Sequence, residues 1–148
     1  MKGEASMKAE EIMTHTAESV GALETVRRAA QLMESMNVSA LPVIDKGTPV
    51  GMVTDRDIIV RSVAQDKNPS TTTVGEIMTP EVIFCMVDAD ISEVAHIMQY
   101  KKIRRLLVKN QDDQIVGIIS LGDLAMSTEA NLTGEVMRDV TGVAHPER

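Results

Sequence analysis

The segment Glu11-Ile12-Met13-Thr14 returns sixty-five positions later as Glu76-Ile77-Met78-Thr79. At the same offset Val26, Ala30 and Met33 meet Ile91, Ala95 and Met98, and Val38 to Val43 meets Ile103 to Val108. Val50-Gly51 then meets Val116-Gly117, and Asp57 meets Asp123, at an offset of sixty-six. One residue is therefore inserted in the turn after Val108. A register shared over so long a stretch makes the chain two copies of one unit. A single copy is too short for more than a marginal core, and its sheet leaves an edge to be covered. Pairing the copies about a pseudo-twofold axis solves both problems.

Each copy reads as β-α-β-β-α, an α/β (α+β) fold. An extended segment (around Val20; Val82 to Val87) precedes a helix with Val26, Ala29, Ala30, Met33 and Met36 at helical spacing. Asp90 followed by Glu93 resembles a capping box at the second copy's helix. Two apolar strands follow, Val38 to Ile44 and Val50 to Val53, across the turn-rich Asp45-Lys46-Gly47-Thr48-Pro49. Their counterparts are Ile103 to Val108 and Ile115 to Ile119. A last helix starts near Asp57 and Asp123. Repeat one is placed at 8–66, a polar linker containing Pro69 at 67–73, repeat two at 74–130 and a tail at 131–148. In the tail Gly134-Glu135-Val136-Met137 echoes Gly75-Glu76-Ile77-Met78; the tail reads either as the stub of another unit or as a short helix packed on the body.

Composition excludes several function classes. Acidic residues number 22 against 15 basic, for a net charge of −7, which argues against nucleic-acid binding because phosphates need a basic surface. Phe84 and Tyr100 are the only aromatic residues, so no base-stacking platform can be built. Eleven methionines and many branched aliphatics must fill the core. A single cysteine, Cys85, excludes an internal disulfide. No apolar run approaches the ~20 residues of a membrane span. The polar stretch from Met1 to Glu11 has no apolar core of a secretory signal. A reducing, cytoplasmic setting is expected, with no membrane partner.

Both copies carry Gly-x-x-[Thr/Ser]-x-x-Asp where the last strand passes into the last helix: Gly51, Thr54, Asp57 and Gly117, Ser120, Asp123. Two readings fit. A hydroxyl and an acid in the first turn are ordinary helix caps. Alternatively, helix N–H groups attract a phosphate while the carboxylate accepts from two vicinal ribose hydroxyls. Duplication copies caps as readily as binding groups.

Through Ile12-Met13-Thr14, Ser39-Ala40-Leu41-Pro42-Val43-Ile44-Asp45, Gly51 to Asp57 and their second-copy equivalents, the chain resembles a tandem pair of cystathionine-β-synthase-type (CBS) domains, also called a Bateman module. The resemblance covers about residues 8–130, and the chain is most similar to small standalone bacterial CBS pairs. It implies an adenosine-containing ligand (AMP, ADP, ATP, NAD or S-adenosylmethionine) held in the cleft between repeats. It further implies that Asp57 and Asp123 each hold a ribose, with Thr54 and Ser120 lining the same pockets. Val38 and Ala40, or Ile103 and Arg105, would cradle adenine, and Thr14 and Thr79 would sit beside the base. Family members commonly form homodimers through helix faces.

The copies differ where charge matters. Arg56, with a planar fork suited to phosphate, faces Gly122 in the alignment, while Arg104-Arg105 replaces Ser39-Ala40. Other reactive residues read as structural. His96 lies off the apolar stripe, His15 and His145 are in polar contexts, and no two histidines have metal-ligand spacing. Cys85 falls in an apolar strand and reads as a buried thiol. No nucleophile–base pair, metal set or P-loop is present. The expected function is regulatory: an adenine-nucleotide sensor without catalysis, a homodimer that reports to a protein partner. The alternative is a homodimerising interaction module that binds no ligand.

Overall fold

The computed structural model describes residues 7–15 and 18–127, and in the tail Met137, Asp139, Val140 and Gly142. Up to residue 65 the elements are α1 (Ala9–Ile12), β1 (Thr14–His15), β2 (Val20–Gly21), α2 (Val26–Met36), β3 (Ala40–Asp45), β4 (Thr48–Thr54), α3 (Asp55–Arg61) and a 3-10 turn (Val63–Gln65). Then come α4 (Val74–Ile77), β5 (Phe84–Met86), α5 (Ile91–Lys101), β6 (Arg105–Lys109), β7 (Ile115–Ser120) and α6 (Leu121–Ala125). The two repeats of β-α-β-β-α are present. Gly134 to Val136 and His145 lie outside the described residues, as do 128–130 at the end of repeat two.

These elements form two compact units, a central one (Glu18–Val82) and a composite one (Met1–Ala17 with Ile83–Arg148). In the central unit the sheet order is β2-β3-β4, with β2 parallel to β3 and β3 antiparallel to β4. In the composite unit it is β1-β7-β6-β5, with β5 parallel to β6 and the other pairs antiparallel. The short helix opening each repeat therefore lies with the other repeat's strands. Ala9 N–H donates to Ala89 O at 2.8 Å and Glu10 N–H to Val87 O at 3.0 Å. Val74 N–H donates to Glu24 O and Gly75 N–H to Ala22 O, both at 2.8 Å. Val74 and Ile77 are buried in the central core with Val20, Leu41 and Val53, while Ala9 is buried in the composite core.

The inserted residue sits in the second hairpin loop. Lys46 and Gly47, both at positive φ, turn the first hairpin, as a two-residue turn requires. In the second hairpin Asn110 N–H bonds Gln114 O at 2.9 Å across three residues, of which Asp113 takes the left-handed conformation. The sheets keep the same register on either side, Val43 opposite Gly51 and Val108 opposite Gly117.

Both long helices are capped by side chains. Thr25 accepts from Arg28 N–H at 3.1 Å, and the Asp90 carboxylate accepts from the N–H and the hydroxyl of Ser92, while Glu93 N–H bonds the Asp90 carbonyl at 2.9 Å. Helix α2 buries Val26, Ala29, Leu32 and Met33, and Met36 packs beside them. Ala30 is exposed, contrary to its expected place on the apolar face. At about 100° per residue the buried arc centres on Ala29 and Met33, leaving Ala30 past one edge and Leu32 inside the other. Its counterpart Ala95 is buried. Asp139 of the tail accepts from Gln99 Nε2 at 3.1 Å and, through its carbonyl, from Lys102 Nζ at 3.4 Å, while Val140 packs on the core beneath. Asp139 and Val140 thus lie against the end of α5 and the core beneath it.

The polar stretch between the repeats is built into the central unit. Thr72 O and Pro69 O accept from Val26 N–H (2.9 Å) and Arg27 N–H (3.0 Å), satisfying two donors that open α2. Thr73 N–H and hydroxyl donate to the Glu76 carboxylate at 2.9 and 3.0 Å, which holds that carboxyl below its usual range.

Candidate functional site

Each unit gathers two hydroxyls around one carboxylate. In the central unit Thr54 ends β4 and caps α3. Its Oγ1 accepts from Asp57 N–H at 3.1 Å, and its own N–H donates to Asp57 Oδ2 at 2.9 Å. This reciprocal cap fixes the carboxylate over the strand end. The third group comes from the start of the other repeat: Thr79 Oγ1 donates to Asp57 Oδ1 at 3.3 Å and Oδ2 at 3.4 Å. Thr79 is held by a two-way backbone bridge, Met52 N–H to Thr79 O (2.9 Å) and Thr79 N–H to Met52 O (2.8 Å).

The composite unit repeats this with its own residues. Ser120 caps α6, accepting from Asp123 N–H at 3.0 Å and donating its N–H to Asp123 Oδ2 at 2.9 Å. Thr14 pairs with Ile118 across β1 and β7, and its hydroxyl stands 3.5 Å from Asp123 Oδ2.

Glycine permits the close approach of each crossing segment. A Cβ on Gly51 would lie 2.4 Å from Thr79 O, and one on Gly117 would lie 2.9 Å from Thr14 O and 2.4 Å from Met13 Sδ. In both copies the motif's glycine thus makes room for the segment that carries the second hydroxyl.

The remaining candidates divide. Ala40 faces Thr54 across the hairpin, and Arg105 faces Ser120. The carbonyls of Ser39 and Arg104 accept from Asp55 N–H (3.0 Å) and Leu121 N–H (2.8 Å), so both residues adjoin the start of the following helix. Arg56 is exposed in the first turn of α3. Val38 and Ile103, expected in the strands, instead lie before them. Asn37 and Lys102 take the left-handed conformation, and the next N–H turns back to the helix: Val38 to Met33 O at 3.0 Å, Ile103 to Met98 O at 3.2 Å. This Schellman-type ending uses the N–H that a strand would need.

One participant lies outside the repeat pattern. Arg61 Nε stands 4.0 Å from Asp57 Oδ1, and its Nη1 donates to Met78 O (3.0 Å) and Ile77 O (3.4 Å). The i, i+4 spacing from Asp57 is its sequence signal. The alignment of copies hides it, because position 127 is Ser127.

Among the described residues no group of three or more His, Cys, Asp or Glu side chains could hold a metal ion, and no helix is long and apolar enough to cross a membrane. Cys85 is buried in β5 opposite Val108; burial, and secondarily the charge of Glu93, pushes its thiol up to about 12. It is an unreactive core residue. His96 is exposed on α5.

The family model for the CBS domain matches residues 9–63 and 74–128, one match per repeat. The chain belongs to the CBS-domain family. Among CBS relatives, the CBS domain-containing protein YhcV of Bacillus subtilis is 37% identical over 119 residues, 80% of this chain and 84% of its own length. A conserved CBS domain protein of Thermoplasma acidophilum superposes with a TM-score of 0.78 at 25% identity, covering 91% of this chain and 76% of that one. The CBS protein CBSX2, solved in complex with AMP, has a TM-score of 0.62 at 26% identity, over 80% of this chain and 93% of its own.

Proposed function

We propose that this CBS pair is a regulatory module that binds an adenosine-containing ligand and catalyses no reaction. The observation that carries the reading is the convergence of a distant hydroxyl on a capped carboxylate, made twice. A helix cap needs only Thr54 with Asp57, or Ser120 with Asp123. Bringing Thr79 and Thr14 from the start of the other repeat adds nothing to capping. It does mark the place of a ribose diol: each hydroxyl occupies a position on the fixed carboxylate that a ligand hydroxyl would take over in a charge-assisted bond. Aliphatic side chains and backbone groups suit adenine in a chain without Trp. Arg56 in the central unit, and Arg104 and Arg105 in the composite unit, supply cationic groups for phosphate. The AMP complex of CBSX2 supports this ligand class.

The test is equilibrium titration of the full chain with AMP, ADP, ATP, NAD and S-adenosylmethionine, alongside assay for turnover. At least one ligand binds and is recovered unchanged. The doubly substituted Asp57→Ala, Asp123→Ala chain loses at least about tenfold in affinity, the scale of one charge-assisted hydrogen bond. If no ligand binds the unsubstituted chain, the alternative of a ligand-free interaction module takes its place.

The cytoplasmic setting and the homodimer belong to the same proposal. Ile59 and Val63 are 58% and 61% exposed on α3 and the turn after it, with Val60 between them. Apolar surface of that kind marks an association face. Light scattering should give the mass of two chains, and Ile59→Asp with Val63→Asp should give that of one; a monomeric unsubstituted chain would rule the dimer out.

A further inference from the structure

Asp57 and Asp123 hold the same place in their repeats, but their surroundings differ. Asp57 is 7% exposed. Its Oδ2 takes Thr54 N–H at 2.9 Å, the Thr79 hydroxyl lies 3.3 and 3.4 Å from its two oxygens, and Arg61 Nε stands 4.0 Å from Oδ1. Arg61 is itself tied to Met78 O and Ile77 O, directly before Thr79. The result is a closed ring: carboxylate, Thr79 hydroxyl, backbone, guanidinium, carboxylate. A diol reaching Asp57 must displace the Thr79 hydroxyl and open that ring. Both oxygens of a buried carboxylate are thus engaged within the protein, and breaking bonds to that charged group weighs against entry.

Asp123 is half-buried, and its contacts fall on one oxygen, Oδ2, from Ser120 N–H at 2.9 Å and the Thr14 hydroxyl at 3.5 Å. Its Oδ1 has no hydrogen-bond or ion-pair contact among the described residues. No arginine stands at the position equivalent to Arg61, which is Ser127. Arg105 lies across the hairpin from Ser120, and the Arg104 carbonyl accepts from Leu121 N–H at 2.8 Å, so both residues adjoin the strand end and helix start that carry Asp123.

The geometry points to one working nucleotide site per chain, at Asp123, with the Asp57 cluster latched shut by Arg61 and Thr79. This inference rests on the nucleotide-binding reading above and decides between its two candidate clusters. Arg61 acts here as a positioning residue: it touches no ligand and holds closed the segment that carries Thr79.

The experiment is calorimetric titration of the full chain with AMP, and with ATP as the probe richer in phosphate. The unsubstituted chain binds one nucleotide. Asp123→Ala takes the stoichiometry to zero, and Arg61→Met, which keeps the aliphatic bulk of the side chain but no charge, raises it to two. The Arg61→Met, Asp123→Ala chain binds one, now at Asp57, which also shows that the Asp123→Ala substitution leaves the fold intact. Two nucleotides on the unsubstituted chain, retention of binding by Asp123→Ala, or an Arg61→Met chain that still binds one would each overturn the inference while leaving nucleotide binding in place. An unsubstituted chain that binds neither these probes nor NAD, ADP or S-adenosylmethionine fails the functional reading and carries this inference down with it.

Discussion

Replacing Gly51 by Ala should cost about 3 kcal/mol of stability, the upper end of what overpacking does in a closely packed interior. The added Cβ would sit 2.4 Å from Thr79 O, 3.0 Å from Met78 Sδ and 3.2 Å from Pro80 Cα. Two of those three are backbone atoms, so relief requires the 78–80 segment to move. Moving it lengthens the Met52–Thr79 bridge, whose two bonds are 2.9 and 2.8 Å, and draws the Thr79 hydroxyl away from Asp57. The second copy provides an internal comparison. At Gly117 the nearest atoms belong to the flexible Met13 side chain, although Thr14 O at 2.9 Å remains in the way. Gly117→Ala should therefore cost about 1–2 kcal/mol. Denaturant unfolding followed by hydrogen exchange at Met52 and Thr79 measures both. A Gly51→Ala chain within 1 kcal/mol of the unsubstituted one, or a larger loss at Gly117→Ala, would show that the crossing segment is loosely held.

Much of this architecture is legible from the spacing of residues. Offsets of sixty-five and sixty-six residues identify the two copies, and the change between them locates the extra residue in the second hairpin loop, where it is found. Asp57 and Asp123 stand out because a carboxylate three residues after a hydroxyl recurs in the same place. Other features escape for physical reasons. Arg61 breaks the repeat, so comparing the copies discards it. Ala30 and Ala95 are equivalent in sequence, yet Ala30 is exposed while Ala95 is buried in the composite core, against which Val140 packs. Val38 and Ile103 are apolar and β-branched like the strand residues after them. Only the backbone of Asn37 and Lys102 shows that the helix ending claims their N–H groups first. The crossing of the opening helices is the largest omission. Met13 and Met78 carry the same side chain, as do Ile12 and Ile77, so either segment could pack on either sheet with similar contacts. Apolar periodicity cannot choose between those pairings.

That crossing makes the effect of Ile77→Ala informative about topology as well as size. Ile77 is 1% exposed in the core that holds Val20, Leu41 and Val53, although it opens the second repeat in sequence. Truncating a buried isoleucine removes its transfer free energy and leaves a cavity, at a cost of about 3 kcal/mol. The loss should fall on the central unit. Amide exchange should quicken at Leu41, Val43 and Val53 in β3 and β4, while Leu106, Leu107 and Val108 in β6 keep their protection. Were the opening helix packed within its own repeat, the damage would fall on β6 and β7 instead, and that pattern would refute the exchange. The matching substitution Ile12→Ala should act in the opposite place and more weakly, because Ile12 is only partly buried against the core of Leu106 and Ile119. The pair therefore separates packing from sequence neighbourhood: each substitution loosens strands belonging to the other repeat. The same dependence ties each carboxylate to its distant hydroxyl, since Thr79 follows Ile77 by two residues and Thr14 follows Ile12 by two. Loosening either helix should therefore weaken the cluster in the unit where that helix is packed.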